Sequence, residues 1–404
     1  MHRRTTSIWT TSIWFAVLFL ASYRYVQAEV IGRCGQGYLE MIDGYRVLHL
    51  KGTPYEMGYQ QGTLLNSECK ALLHDLFDGN FKESKYELLG VKLPIQQAIA
   101  SIFSMQRPYI PDRYIEEMQG LADALEIDAQ TVFAANSIPE LFHCSGFALL
   151  AEITEPGSLL HGRVLDYGVD WKLQDHAVLV IAEPNGRIPF VNVTYAGFIG
   201  SVTGMNNEQV SIGEMGGGGF GKWQGTPMAF LVRRVLEEGH SLEDAVEIFK
   251  TSKRTCEYYF VIADAKSNSA AGIDGSADHF KVVKPGEPDP KLPTPVPHTI
   301  LLSAGDRYKN LCSITQAVIN ERGKFSVDRA IHLMDAPVAM KSNLHDVLFA
   351  PGLGKLWIAN ASSDKKPAWT QKYYEFDFRT LLNQPAPTTG KEYSLRQPTK
   401  TASR

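Results

Sequence analysis

One stretch constrains this chain more than any other: Leu141-Phe142-His143-Cys144-Ser145-Gly146-Phe147-Ala148. Ahead of it the sequence reads mostly as helix, and behind it strand-like runs dominate. A cysteine, followed by small residues, therefore stands at the head of an apolar, strand-forming run. A lone cysteine is usually a small buried hydrophobe. Its setting here favours a nucleophile instead. Arg163 and Asp166, in Leu160-His161-Gly162-Arg163-Val164-Leu165-Asp166-Tyr167, are expected to fold back against it.

The periodicities give the layers. Before Cys144, residues 45–50 alternate as a strand. Thr53 is an N-cap with Pro54 at the first helical position. Tyr114, Met118, Leu121 and Leu125 recur at helical spacing, and Asp128 caps a further helix. After Cys144, strands are expected over 147–153, 177–183, 189–195, 198–203 and 209–214. Asn185-Gly186 marks a hairpin between the second and third of these. Helices follow over 226–239 and from Ser241, then strands over 258–263 and 270–274. Residues 284–297 form a Pro-rich surface loop, and a helix runs from Ser326 to Met334. A final pair of strands follows, over 347–350 and 355–359. This order predicts a layered α+β fold, two sheets between helical layers. The chain divides into a leader over 1–28, a mostly helical segment over 29–143, a core over 144–385 and a disordered polar tail over 386–404.

The leader has a basic start, His2-Arg3-Arg4, an apolar run from Ile13 to Ser22, and small residues at Val26-Gln27-Ala28. This reads as a signal peptide cleaved after Ala28. Because Arg24 interrupts the region, an uncleaved anchor is the alternative. The apolar run is short for a bilayer, so no membrane span is expected once the leader is removed. The location implied is secreted, periplasmic or a lysosome-like lumen. Two sequons, at Asn192 and Asn360, fit export through a eukaryotic pathway. With 40 basic and 44 acidic residues, net charge −4, nothing favours nucleic acid as a partner. The five cysteines leave at least one free thiol. Bridges Cys34–Cys69 and Cys256–Cys312 would leave Cys144 alone, but sequence does not decide the pairing.

No cysteine spacing or His-Glu-x-x-His motif suggests a metal. Gly216-x-Gly218-x-x-Gly221 has the form of a dinucleotide fingerprint, but no acidic residue ends the next strand. No cofactor is therefore expected. There is no Gly-x-Ser-x-Gly elbow either.

The chemistry returns to Cys144. A thiol needs a lowered pKa or a local base. If the chain were cut before Cys144, its new α-amine, with a pKa near 8, would be that base. Asp166 would orient the ammonium, and Arg163 would hold Asp166 or a substrate carboxylate. Asn206, on a turn after a strand, is a candidate oxyanion donor and equally a turn residue. The glycine loop carrying Phe220 and Trp223 can close over a small apolar group, or Trp223 can pack on the core. A loop of this kind favours a small substrate with an apolar arm, rather than a protein.

Four motifs in order then resemble a known family: residues 52–62 (Gly-Thr-Pro-Tyr-Glu-Met-Gly-Tyr-Gln-Gln-Gly), Cys144-Ser145-Gly146-Phe147, Gly162-Arg163-Val164-Leu165-Asp166-Tyr167 and Gly204-Met205-Asn206. They look like the acyl-coenzyme A:6-aminopenicillanic acid acyltransferase family, peptidase family C45, within the N-terminal-nucleophile hydrolases. The resemblance covers residues 45–375. It implies a four-layer αββα sandwich and a proenzyme that cuts itself before the cysteine, its α and β chains staying associated. It implies hydrolysis or acyl transfer at non-peptide C–N amide bonds of a small molecule. Carried over, Cys144 is nucleophile and base, Asp166 orients it, Asn206 stabilises the oxyanion and Arg163 matches the hydrolase relatives. Tyr167 follows Asp166 in the same motif. Ser303 to Tyr308 resembles a late Ser-x-Arg region, with Arg307 supporting the site. Many relatives carry Asn-His where this chain has Pro297-His298, and Gly where it has His143. The alternatives are an acyltransferase with a thioester donor such as acyl-CoA, or an inactive binding protein on the same scaffold.

Overall fold

The structure, a computed structural model, describes residues 28–397 except positions 81, 83, 89, 138–142, 156 and 219–220. Residues 1–27 of the expected leader lie outside the described residues.

Strands β1 (Ala28–Cys34), β2 (Gly37–Ile42) and β3 (Tyr45–Gly52) come first. Helices α1 (Pro54–Leu64) and α2 (Asn66–His74) follow, then a small hairpin of β4 (Lys85–Leu88) and β5 (Val91–Pro94). Next come α3 (Ile95–Gln106), α4 (Asp112–Leu125) and α5 (Ala129–Ala135). Strands β6 (His143–Leu149), β7 (Leu160–Asp166), β8 (Ala177–Pro184), β9 (Phe190–Tyr195), β10 (Thr203–Asn206) and β11 (Val210–Gly216) form the centre of the chain. They are followed by α6 (Met228–Glu238), α7 (Leu242–Thr251), β12 (Tyr258–Asp264), β13 (Ser269–Gly275), β14 (Phe280–Val283) and β15 (Thr299–Leu302). The chain ends with α8 (Gly305–Asn320), α9 (Val327–His332), β16 (Asn343–Ala350), β17 (Lys355–Asn360), β18 (Tyr374–Asp377), α10 (Phe378–Asn383) and β19 (Lys391–Tyr393).

Among the described residues, eleven strands form a large sheet in the order β14-β13-β12-β11-β10-β9-β8-β3-β2-β1-β19, and six form a smaller one, β15-β6-β7-β16-β17-β18. The ladders are antiparallel except β3–β8 and β1–β19. One face of the large sheet is covered by α1, α6 and α7, with α4 packed on α1; its other face meets β6, β7 and β15 of the small sheet. The small sheet's outer face is covered by α8 and α9. This is the α+β sandwich of two sheets between helical layers that the sequence predicts.

The segment before Cys144 is built into that sandwich. β3 pairs with β8 from Val47↔Leu179 to Gly52↔Pro184. Thr53 and Glu56 form a capping box at the start of α1, which satisfies two of the unpaired N–H groups there. Two glycines let α1 and α4 touch. A Cβ on Gly58 would sit 1.8 Å from the Glu117 carbonyl oxygen, and one on Gly120 would sit 2.1 Å from that of Tyr55.

Two expectations are corrected. Residues 198–202, read as strand, are loop, and β10 begins only at Thr203. Their backbone groups are taken elsewhere: the Ile199 N–H donates to Asn136 Oδ1 and the Ser201 N–H to the Ala229 carbonyl. Residues 391–393, read as part of a disordered tail, pair with β1. An open sheet edge is a template for a short strand, and composition alone does not reveal a partner so far away in sequence.

Candidate active site

Cys144 and Asp166 are brought together by the β6–β7 ladder, which pairs Cys144 with Leu165 and His143 with Asp166. Alternation decides where each side chain goes. Cys144, Ala148 and Leu165 cluster with Met215, Val261 and Ala263 of the large sheet. Phe147, Leu149 and Val164 cluster with α8 and α9 residues on the other face. The small residues of the motifs serve this packing. The Phe147 ring lies over Gly162, where a Cβ would approach it to 2.1 Å, and Met215 Sδ sits 3.1 Å from where a Gly146 Cβ would be.

The Asp166 carboxylate is held from two sides. Its Oδ2 accepts from Arg307 Nη1 at 2.5 Å, and its Oδ1 accepts from the Met340 N–H at 2.9 Å. Burial raises its pKa, opposed by the Met340 N–H and by Arg307 and Arg163. Arg307, in the first turn of α8, also reaches Ser145 Oγ at 3.4 Å, and that hydroxyl is 2.6 Å from Ser303 Oγ. The Cys144 thiol, 4% exposed, is pushed up to about 11. Burial is the main cause; Arg163 opposes it, while Glu214 and Asp166 add to it. In the continuous chain the thiol is therefore protonated at neutral pH, and a local base is needed to activate it.

Arg163 is fully buried, with Nη2 3.3 Å from Glu214 Oε2. Its Nε and Nη1, like Glu214 Oε1, have no hydrogen-bond partner. Burial pushes Glu214 up to about 7 despite the guanidinium beside it. Glu214 belongs to no motif. Its only mark in the sequence is that it is an acid inside a strand-forming run.

Cys144 lines a cavity of about 320 Å³ with Met215, Tyr259, Asp274, Ser303 and Arg307. Leu165, its ladder partner, lines a second and apolar pocket of about 50 Å³ with Tyr167, Leu173, Tyr195 and Phe198. The site thus lies between a larger cavity of mixed lining and a smaller apolar pocket.

Several expected contributors are not brought here. Asn206 is 1% exposed; its amide donates to the Leu236 and Gly239 carbonyls at 3.2 and 2.8 Å and accepts from the Val210 N–H at 3.0 Å. It ties off the end of α6 and has no place on the Cys144 cavity. Its hydrogen-bonding capacity is spent on backbone groups that local sequence could not identify. Trp223 is 4% exposed in the core between the large sheet and its helices, so it does not line the cavity. Gly216 does line it, whereas Phe220 lies outside the described residues. All five cysteines are buried and free, so neither Cys34–Cys69 nor Cys256–Cys312 is bridged. The sequon asparagine Asn192 is 3% exposed and bonded to the Gly200 carbonyl and Ser201 hydroxyl, which closes it to a glycan in the folded state.

The chain is similar in sequence to a described acyltransferase family and to acid ceramidases. The family model described as acyl-coenzyme A:6-aminopenicillanic acid acyl-transferase matches residues 154–282, which bears out the resemblance read from the motifs. Protein dcd1B of Dictyostelium discoideum is 28% identical over 272 residues, 62% of this chain and 54% of that protein. Acid ceramidase of Rattus norvegicus is 30% identical over 196 residues, 41% of this chain and 48% of that enzyme. The chain therefore spans about half the length of each. The Caenorhabditis elegans N-acylethanolamine-hydrolyzing acid amidase ortholog, a solved structure, superposes with a TM-score of 0.44 at 18% identity, covering 58% of this chain and 100% of that one.

Proposed function

We propose that this protein is a secreted or lumenal amidohydrolase that matures by cutting its own chain between His143 and Cys144. The observation that carries the reading is the position of Cys144: it stands at the start of an inner strand, beside Asp166 and Arg163, on a cavity that holds both charged and apolar side chains and next to an apolar pocket. In maturation the Cys144 sulfur attacks the His143 carbonyl carbon, and the acyl group shifts from nitrogen to sulfur. Water then hydrolyses the thioester, leaving a carboxylate on His143 and a free α-amine on Cys144.

That amine serves as the base in turnover. It takes the thiol proton as sulfur attacks the substrate's amide carbon, and it passes the proton to the leaving amine. Water, deprotonated by the same group, releases the acyl group from the thioester as a carboxylic acid and returns the thiol. Asp166, fixed by Arg307 and the Met340 N–H, orients the ammonium. With Asn206 committed to α6, the oxyanion donor is taken to be Arg163, whose buried Nε and Nη1 have no partner and which lies behind Cys144 rather than on the cavity wall. The pocket of Leu165, Tyr167, Tyr195 and Phe198 takes the acyl arm. The rat relative is named a ceramidase, which fits an acyl amide with an apolar arm. The family description supports acyl transfer as a second outcome, with an amine replacing water at the thioester.

After cleavage the two chains stay associated. β3 lies between β2 and β8 inside the large sheet, and Glu117 of α4 pairs with Arg233 of α6 at 2.6 Å, both buried. The test combines intact mass, N-terminal sequencing and a panel of N-acyl amines, N-acyl amino acids and penicillins, with casein as control. The expected result is a fragment starting at Cys144 that co-elutes with the 29–143 fragment and releases amine from acyl amides. Cys144→Ala should stay uncut and inactive. Active protein that remains one chain, or cleavage of casein alone, would refute the reading. Asp166→Asn should lower kcat with little change in KM, since an orienting carboxylate acts on the nucleophile.

A further inference from the structure

The polar end of the Cys144 cavity carries a cluster that acyl chemistry does not use. β12 and β13 place Tyr259 directly opposite Asp274. Both line the cavity, and between them and Leu302 the floor is opened by Gly272. Lys291, from the Pro-rich loop after β14, closes over the pair. Its Nζ lies 2.6 Å from the Tyr259 hydroxyl, 2.9 Å from Asp274 Oδ2 and 2.8 Å from Glu257 Oε1. The other Glu257 oxygen accepts the Gly218 N–H at 3.1 Å, so one acid joins the Pro-rich loop to the glycine loop. Asp274 is 7% exposed, and its Oδ1 is buried with no hydrogen-bond partner. A buried carboxylate oxygen without a donor is costly and rare. Asp274 belongs to the wall of a cavity that also holds the nucleophile, where a ligand donor would supply the missing partner.

Taking Cys144 as the nucleophile of an amidase, we propose that Asp274 selects the amine half of the substrate by accepting a hydrogen bond from a hydroxyl on it. The surrounding charges favour a donor over an anion. Among the described residues at this end, Lys291 is bound by three acceptors, Lys281 is paired with Asp289 and His279 Nε2 lies 3.5 Å from Asp274 Oδ2, while Arg307 is turned to Asp166 and Ser145. A substrate carboxylate would meet Asp274, Asp289 and Glu257 with those cations already engaged.

The test is binding to Cys144→Ala protein, which keeps the continuous chain of the structure and does not turn substrate over. Calorimetry compares dodecanoyl ethanolamide, N-propyl dodecanamide, in which a methyl replaces the hydroxyl, and N-dodecanoylglycine. The ethanolamide should bind about tenfold tighter than the propyl amide, as a hydrogen bond to a charged acceptor provides, and the glycine conjugate should bind no better than the propyl amide. Asp274→Ala in this background should erase the preference by weakening the ethanolamide alone. Asp274→Asn, which keeps an acceptor oxygen, should retain part of it. Equal affinities in the parent protein, equal weakening of both amides by Asp274→Ala, or tightest binding of the glycine conjugate would each overturn the proposal. The amidase reading fails separately, if wild-type protein releases amine from none of the three. If it releases amine from the ethanolamide and the propyl amide at equal kcat/KM, only the role of Asp274 falls.

Discussion

Two polar networks lie between the sheets, and they differ chiefly in their access to water. The inner one holds His161 Nδ1 2.8 Å from Ser211 Oγ, Arg163 paired with Glu214, and Tyr195 and Thr203 on the two nitrogens of His345 at 3.0 and 3.1 Å. All of these residues are buried. The outer one gathers Glu257, Tyr259 and Asp274 around Lys291, whose side chain is 50% exposed. In the inner network burial sets the protonation states: Glu214 rises to about 7 and His161 falls to about 3. In the outer one burial still raises Tyr259, but at Lys291 the bonds to Glu257, Tyr259 and Asp274 outweigh burial and raise it. A dry network holds groups in place at a high cost if one partner is lost. A half-wet one can exchange a partner for water or ligand at little cost.

The comparison can be broken first at Arg163. Arg163→Met strands Glu214 in a dry interior and should destabilise the protein by about 3–5 kcal/mol, measured by denaturant unfolding. Adding Glu214→Leu should recover most of that loss. A single variant as stable as wild type would show that water reaches this layer.

Asn206, a buried amide whose donors and acceptor are all bonded, gives the next effect. Asn206→Ala should cost about 1–3 kcal/mol of stability through its orphaned backbone partners. Its kcat should stay within about twofold of wild type, whereas loss of an oxyanion donor costs about 10²–10³.

Glu214→Gln sharpens the contrast through pH. The folded pKa of about 7 lies above the ordinary 4.5. The folded state therefore holds the proton more tightly, and the stabilisation is full below the ordinary value and lost as pH rises through about 7. The stability of wild type relative to Glu214→Gln should thus fall between these two pH values. His161, held low by burial and Arg163, has the opposite slope, so the difference between the two proteins is the quantity to measure.

The smallest stability effect belongs to Lys291. Lys291→Met should cost less than either inner variant, about 1 kcal/mol, because the Lys291 side chain is half exposed and water can replace it beside Asp274 and Glu257. A larger loss would place the outer network with the inner one.

Much of the site's frame was legible in advance. Thr53, Pro54 and Glu56 announce α1, because capping is a local matter of side chain and neighbouring N–H. Cys144, Arg163 and Asp166 were legible because motif and alternation fall on two strands that pair in register. Glu214 was not, since its meaning depends on Arg163, 51 residues earlier in the chain. Asn206 misled because a turn asparagine and an oxyanion donor look alike until the helix end that it binds is in place.

The sequence by itself determined the elements: a cysteine at the head of a strand, helices with their caps, and alternating strands whose inner faces must meet. Each rests on local dihedral preference and periodicity, which a few neighbouring residues control. Only the tertiary structure decided which polar atoms are satisfied and which are left open. It spent Asn206 on α6, closed Asn192 into β9, placed Glu214 beside Arg163 and left one buried oxygen of Asp274 without a partner at the edge of the cavity. Those outcomes depend on burial and on partners far apart in the chain, and desolvation acts only once the sheets have packed together.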